Sequence, residues 1–271
     1  TLFRSKHMNP FQKFVKMLSD IFVPIIPAIV AGGLLMGLNN IFTAKDLFYD
    51  GKSIIDVHSQ FSGLADMINI FANAPFTLLP ILIGFSAAKR FGGNPYLGAA
   101  LGMILVHPGL MSAYDFPKAL EAGKTIPHWD VFGLHINEVG YQGQVLPMLV
   151  ATYILATIEK WLRKVIPTVL DNLLTPLLSI FITAFITFLF VGPVTRQLGY
   201  WLSDGLTWLY EFGGAIGGLI FGLLYAPIVI TGMHHSFIAV ETTLIADATK
   251  TGGSFIFPIA TMSNIAQGGA A

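Results

Sequence analysis

The sequence contains no cysteine. That excludes disulfides, thiolate metal sites and a cysteine nucleophile within it. Charge is scarce too. Asp, Glu, Lys and Arg make up 11% of the 271 residues, against about 25% in a soluble domain. Acids and bases balance at 15 each, and no basic tract interleaves with aromatics, so nothing marks a nucleic-acid surface. A Walker A lysine loop, a Gly-rich dinucleotide fingerprint and a zincin His pair are also missing. No site for ATP or NAD, no metal-ligand spacing and no cofactor is therefore expected. No repeat of about 20–50 residues is found. No secretory signal peptide is expected within these 271 residues, because the first long apolar run starts only near Phe22 and no small-residue cleavage site follows.

What remains is apolar. Hydrophobic residues reach 54% and mean hydropathy is +0.69. The 28 glycines and 15 prolines suit membrane helices that pack closely or break. The pattern predicts an all-α, polytopic membrane protein.

Phe11, Phe14, Val15 and Leu18 follow helical spacing with Lys13 and Lys16 off the stripe, which predicts an amphipathic helix at the membrane surface. Ile21–Leu38 has about the ~20 residues a spanning helix needs, with Pro24 and Pro27 in its first turns. A second span is expected over Met67–Ala88, interrupted by Pro75 and Pro80, and a third over Tyr96–Met111. A polar segment, Ser112–Gly143, follows. Val145–Ile158 predicts a short apolar helix closed by the basic cluster Lys160, Arg163 and Lys164. Leu173–Val191 and Gly213–Ile230 are further spans. Arg196–Phe212, with Tyr200, Trp201, Trp208 and Tyr210, has the composition of a headgroup-level belt. Thr231–Ala271 predicts a re-entrant hairpin lining a cavity.

Counting Lys and Arg alternately across these spans places Arg4, Lys6, Lys13, Lys16, Lys89, Arg90, Lys160, Arg163 and Lys164 on one side. Lys45, Lys52, Lys118, Lys124 and Arg196 fall on the other. The positive-inside rule then puts the N-terminus in the cytoplasm. Because the chain opens on Thr1 and ends in an apolar, glycine-rich run, it reads as a piece of a longer polypeptide.

The candidate site residues are polar groups at membrane depth, where they are costly and mark substrate or proton paths. His234 and His235 stand next to an uncharged run, Ala215–Ile230. They read as substrate ligands or a proton relay, or as packing and capping residues. Adjacent positions on a helix point about 100° apart, so both rarely serve one site. Glu241 would share the His234 face two turns on, as a hydroxyl acceptor or general base, or as a solvated loop acid. Thr231 precedes them. Tyr141, Gln142 and Gln144 offer donors and acceptors suited to a hydroxyl-rich ligand, or satisfy loop backbone. His107, before Pro108, is a capping residue or a ligand. Asn264 and Gln267 contact substrate or neighbouring helices. His58, His128 and His135 lie in polar loops as surface residues.

Five stretches carry a resemblance: Phe22–Leu34, Leu105–Pro108, Val139–Pro147, Ile230–Phe237 and Met262–Gly268. On them the chain resembles the sugar-translocating membrane domain, enzyme IIC, of the bacterial phosphoenolpyruvate-dependent phosphotransferase system. It is similar to the sucrose and trehalose branch of the glucose superfamily. Ser112–Leu120 and Thr168–Thr175 look more like sucrose members.

The resemblance implies a ten-helix fold, of which this chain would hold six or seven spans, the interfacial helix and the re-entrant hairpin. It implies three regions: a linker and interfacial helix at 1–20, scaffold helices at 21–212 with the polar loop 112–143, and the start of a substrate-binding transport domain at 213–271. It further implies a homodimer in the bacterial inner membrane, with sugar moved by an elevator motion. Phosphorylation would come from a cysteine on a partner enzyme IIB domain, which makes the assembly a protein-phosphocysteine–sugar phosphotransferase. The family's Gly-Ile-Thr-Glu-Pro glutamate motif does not occur here, so the site is expected to be incomplete. His234 and His235 are then the candidates for orienting or deprotonating the sugar hydroxyl. Thr231, His107, Tyr141, Gln142, Gln144, Glu241, Asn264 and Gln267 would bind a disaccharide. A trehalose-specific member, a sugar-sensing regulator and a proton-coupled symporter are the alternatives.

Overall fold

The computed structural model describes residues 10–198, together with 201 and 219. These residues are mostly helical. Three helical runs, Gln12–Thr43, Ser59–Phe91 and Thr168–Leu198, are long and apolar enough to cross a membrane. Most of the interfacial belt at Arg196–Phe212, the span expected at Gly213–Ile230 apart from Leu219, and the hairpin at Thr231–Ala271 lie outside the described residues.

The first run is two helices. α1, Pro10–Phe22, breaks at a 3-10 turn, Val23–Ile25, before α2, Ile26–Thr43, begins. Pro24 lacks an N–H and fixes the break. The buried Ser86 hydroxyl reaches across and donates to the Ile21 carbonyl at 2.6 Å, which satisfies a group the break would orphan. Leu18, Ile21 and Phe22 are buried on this side of α1, whereas Phe14 faces outward despite its place in the apolar stripe.

The loop after α2 holds a short helix, α3, Ile54–Val57, fastened by a capping box between Ser53 and Asp56. The second run is α4, Ser62–Thr77, and α5, Leu79–Phe91. Pro75 is tolerated inside α4. The break falls at Leu78, ahead of Pro80 in the first turn of α5. α2 packs on α4, where the Gly32 site lies against the Ala72 carbonyl. The outer faces of this pair expose Val30, Leu34, Leu64, Ile70 and Phe71, an apolar surface of the kind a membrane helix turns to lipid.

Gly92, at φ +74°, ends α5 in the left-handed conformation, and Asn94 caps α6, Pro95–Leu105, by accepting from Tyr96 N at 2.9 Å. α5 and α6 approach backbone to backbone. A Cβ added to Gly84 would run into the Gly98 carbonyl, and one on Gly98 into the Gly84 carbonyl; one on Gly102 would meet Ile81 Cα at 2.7 Å. Gly98-Ala99-Ala100-Leu101-Gly102 is thus a small-residue seam of the GxxxG kind.

Here the structure corrects the expected third span. α6 stops at Leu105 after 11 residues, about 16 Å at 1.5 Å per residue, too short to cross alone. Pro108 disfavours helix at His107, and the Leu105 carbonyl accepts from Tyr141 N at 2.8 Å instead of from the next turn.

The polar segment is ordered as well. It contains α7, Phe116–Glu121, and an antiparallel hairpin of β1, His128–Val131, and β2, Leu134–Asn137. The two linking residues, Phe132 (φ 52°) and Gly133 (φ 82°), both have positive φ, as a type I′ hairpin turn requires. The fold is therefore helical apart from this hairpin among the described residues. The expected Val145–Ile158 helix extends to 20 residues as α8, Leu146–Val165, through the basic cluster. Its buried face, with Met148, Ala151 and Leu155, continues past Ile158 through Glu159 and Leu162. α9, Thr168–Ile186, passes through a π-turn, Thr187–Val191, and continues helically to Leu198.

Charges gather at one pole. Arg90 Nε donates to Asp20 at 2.8 Å, Asn94 N donates to Glu159 at 2.8 Å, and Lys160 donates to the Phe91 carbonyl. Arg163 bridges Glu159 and Asp171 at 2.9 and 3.0 Å. The two basic clusters assigned to one side by the charge count thus meet at one end of the bundle. The segment from Val106 to Val145 caps the other.

Candidate functional site

The cap is tied down by backbone. Met111 N donates to Glu138 O, Gly140 N to Met111 O and Gly143 N to Thr77 O, at 2.8, 2.8 and 3.2 Å. These bonds carry the 138–144 strand across the ends of α4 and α6, and hold Tyr141, Gln142 and Gln144 together.

Tyr141 is buried. Its ring lies 5.9 Å from that of Phe188 in the π-turn, and Gly192 lies beneath it, where a Cβ would collide with the phenol. On the other side stands Arg196, whose guanidinium carbon is 4.4 Å from the Tyr141 centroid and 4.8 Å from that of Phe116. Arg196 Nη2 also donates to the Gly140 carbonyl at 3.0 Å. A cation between two rings with a carbonyl at its edge is a stable way to keep guanidinium in an apolar setting. Burial holds the Tyr141 phenol above its ordinary value, and the nearby guanidinium partly offsets that rise.

The glutamines divide. Gln142 is buried and its Oε1 accepts from Ala113 N at 2.9 Å, so its carbonyl serves the cap. Gln144 Oε1 is buried with no hydrogen-bond partner among the described residues. A buried acceptor without a donor is costly, so Gln144 Oε1 is open to a donor from outside the described residues. His107 lies at the exposed rim of the cap, and its Nδ1 accepts from Gly109 N at 3.0 Å, closing its own turn. That leaves Nε2 to carry the proton outward.

Behind the cap, α9 buries a hydroxyl row. Thr175, Ser179, Thr183 and Thr187 repeat at every fourth residue and are all buried. Thr175 donates to Asp171 at 2.6 Å and Thr187 to the Thr183 carbonyl at 2.7 Å. Ser179 Oγ and Thr183 Oγ1 have no partner among the described residues.

Of the residues expected at the site, His107, Tyr141, Gln142 and Gln144 share this cap. Thr231, His234, His235, Glu241, Asn264 and Gln267 lie outside the described residues. Arg196 was expected only as a topological charge at the start of an interfacial belt, and Phe116, Phe188 and Gly192 were not expected at the site at all. The signal for Arg196 was its place as a lone cation directly after the long apolar run of α9.

The family described as phosphotransferase system, EIIC matches residues 19–271. Over 267 residues, 98% of this chain, the sequence is 86% identical to the sucrose-specific EIIBC component of Staphylococcus xylosus, of which those residues make up 56%. It is 56% identical over 98% of its length to the sucrose-specific EIIBCA component of Pediococcus pentosaceus, 40% of which is covered. It is 50% identical over 98% of its length to the trehalose-specific EIIBC component of Bacillus subtilis, 56% of which is covered. The chain thus spans about half the length, or less, of these relatives. No solved structure matches the chain.

Proposed function

Since the chain belongs to the phosphotransferase system EIIC family, a family of polytopic membrane domains, we propose that it is the membrane part of a sucrose permease that phosphorylates its substrate during entry. The observation that carries this is the 86% identity, over 98% of the chain, to a sucrose-specific component. Relatives named EIIBC and EIIBCA support a sugar substrate and an enzyme IIB partner. The protein then sits in the bacterial inner membrane as a multi-pass homodimer with a cytoplasmic N-terminus. The charged pole of α5 and α8 faces the cytoplasm and the Val106–Val145 cap faces outward. Residues 1–20 form the linker and interfacial helix, 21–212 the scaffold, and 213–271 the beginning of the transport domain.

In this reading Gln144 accepts a sugar hydroxyl, and His107, Tyr141 and Gln142 shape the cap around it. Thr231, Glu241, Asn264 and Gln267 complete the binding site. The reacting hydroxyl attacks phosphorus in line. The new P–O bond forms as the P–S bond to a phosphocysteine of the IIB domain breaks, and His234 or His235 takes the hydroxyl proton. The thiolate leaves and the sugar phosphate is released inside.

Membrane vesicles holding the full-length protein, the general phosphotransferase proteins, phosphoenolpyruvate and labelled sucrose or trehalose test this directly. Sucrose recovered as its phosphate ester, and only with phosphoenolpyruvate, is the expected result. Activity with trehalose alone would keep the mechanism and remove the sucrose assignment. Free sugar accumulating with the proton gradient would overturn the reading in favour of a symporter. Phosphate flux too small for uptake, with phosphorylation of a regulator, would make the protein a sensor.

A further inference from the structure

The β1–β2 hairpin separates two kinds of residue. In the register His128 faces Asn137, Trp129 faces Ile136, Asp130 faces His135 and Val131 faces Leu134. Side chains alternate across a strand, so His128, Asp130, His135 and Asn137 share one face while Trp129, Val131, Leu134 and Ile136 share the other. The apolar face is anchored. Ile136 is buried, and the Trp129 ring meets Phe188 edge-on at 5.4 Å. The polar face is exposed, and on it a ligand atom from each of His128, Asp130 and His135 lies within 4.8 Å of the others.

From this the geometry points to a divalent transition-metal site on the hairpin, ligated by His128, Asp130 and His135. Two imidazoles and a carboxylate are a donor set that suits Zn²⁺ and its neighbours in the first row. A four-coordinate ion with bonds of about 2.0–2.2 Å holds its ligand atoms about 3.4 Å apart. Modest side-chain rotations, open to all three exposed groups, would widen the His135–Asp130 contact and draw His128 in. The ring of His128 is already oriented. Its Nδ1 lies 3.2 Å from the Ile126 carbonyl, a bond that places the proton on Nδ1 and turns the Nε2 lone pair toward Asp130, 3.8 Å away. This is the outer hydrogen bond that metal-ligating histidines ordinarily make. His135 Nδ1 contacts Asp130 Oδ1, a contact that the ion would replace with two metal–ligand bonds, and water would take the fourth position. The strands are held in register by a two-residue turn, so the ion meets a preformed platform. The bound ion would fasten the two strands whose other face rests on Phe188.

The site does not depend on the identity of the transported sugar. It is tested on the full-length protein, purified in detergent without a polyhistidine tag, by Zn²⁺ competition against a chromophoric chelator. The expected result is one equivalent bound with Kd below about 100 µM, weakened at least tenfold in both His128→Gln and His135→Gln and unchanged in His58→Gln. The substituted groups are exposed, and unchanged metal-free melting shows that the fold is kept. Weaker binding in the parent, or undiminished affinity in either hairpin variant, overturns the proposal.

Discussion

Arg196 lies 4.4 Å over the Tyr141 ring while its Nη2 donates to the Gly140 carbonyl at 3.0 Å. One side chain thereby joins the last turns of the α9 run to both the ring and the backbone of the outer cap. Arg196→Gln should remove a desolvated cation–π contact of about 2 kcal/mol and loosen residues 139–144. Arg196→Lys should rescue only part, because ammonium cannot lie flat between two rings and reach a carbonyl as well. Thermal unfolding in detergent, read beside sugar uptake, checks the order wild type, Lys, Gln.

Gln144 and Gln142 should behave differently on substitution. Gln144→Leu removes an acceptor that has no protein partner among the described residues, so stability should hold while KM for sugar rises about tenfold, the worth of one hydrogen bond near 1–1.5 kcal/mol. Gln142→Leu strands the Ala113 N–H, bonded at 2.9 Å in the native cap, and should lower the melting temperature. Equal effects in both assays would remove the division of roles.

The seam between α5 and α6 leaves no space for a methyl group at Gly84 or Gly98. Gly98→Ala should cost about 1–3 kcal/mol, the usual range for overpacking, or more because the obstacle is backbone. Gly33→Ala, where nothing lies within 4 Å, should be neutral or slightly stabilising in its helix. Paired unfolding curves decide it.

Asp56 gives a pH signature outside the spans. The Ser53 N–H and hydroxyl donate to it at 2.9 and 2.7 Å and hold its carboxyl below the ordinary 3.8. A lowered folded pKa favours the native turn whenever the group is ionised in both states. That contribution is complete above the ordinary value and is lost as pH falls through the folded one. Hydrogen exchange of 53–57, corrected for intrinsic rates, should therefore quicken on acidification below about pH 4. In Asp56→Asn this acid step should disappear.

Membrane class and the charged pole were legible because hydropathy and Lys/Arg report directly on solvent, whereas the break at Val23–Ile25 falls inside the span expected from Ile21. The Gly98–Gly102 seam was not singled out in the sequence, since only contact with Gly84 and Ile81 gives it meaning. The end of α6 was not legible either, since Leu105 is satisfied by Tyr141, 36 positions along the chain. The metal-type face escaped a spacing search for a plain reason. His128, Asp130 and His135 converge only once a tight turn at Phe132–Gly133 fixes the register. Arg196 looked like an interfacial charge, because the two rings that shelter it come from Phe116 and Tyr141, far away in sequence.

The π-turn at Thr187–Val191 sets the angular phase of the helical residues from Gly192 to Leu198. A wide turn holds roughly one residue more than an α-turn, so the chain leaves it rotated by about 100° relative to an uninterrupted helix. Deleting a single residue there would restore an even pitch and swing Arg196 about a quarter-turn or more off the Tyr141 ring. The surplus residue in the α9 run thus acts as an indexing device, fixing the rotational setting of Gly192 and Arg196 against the outer cap.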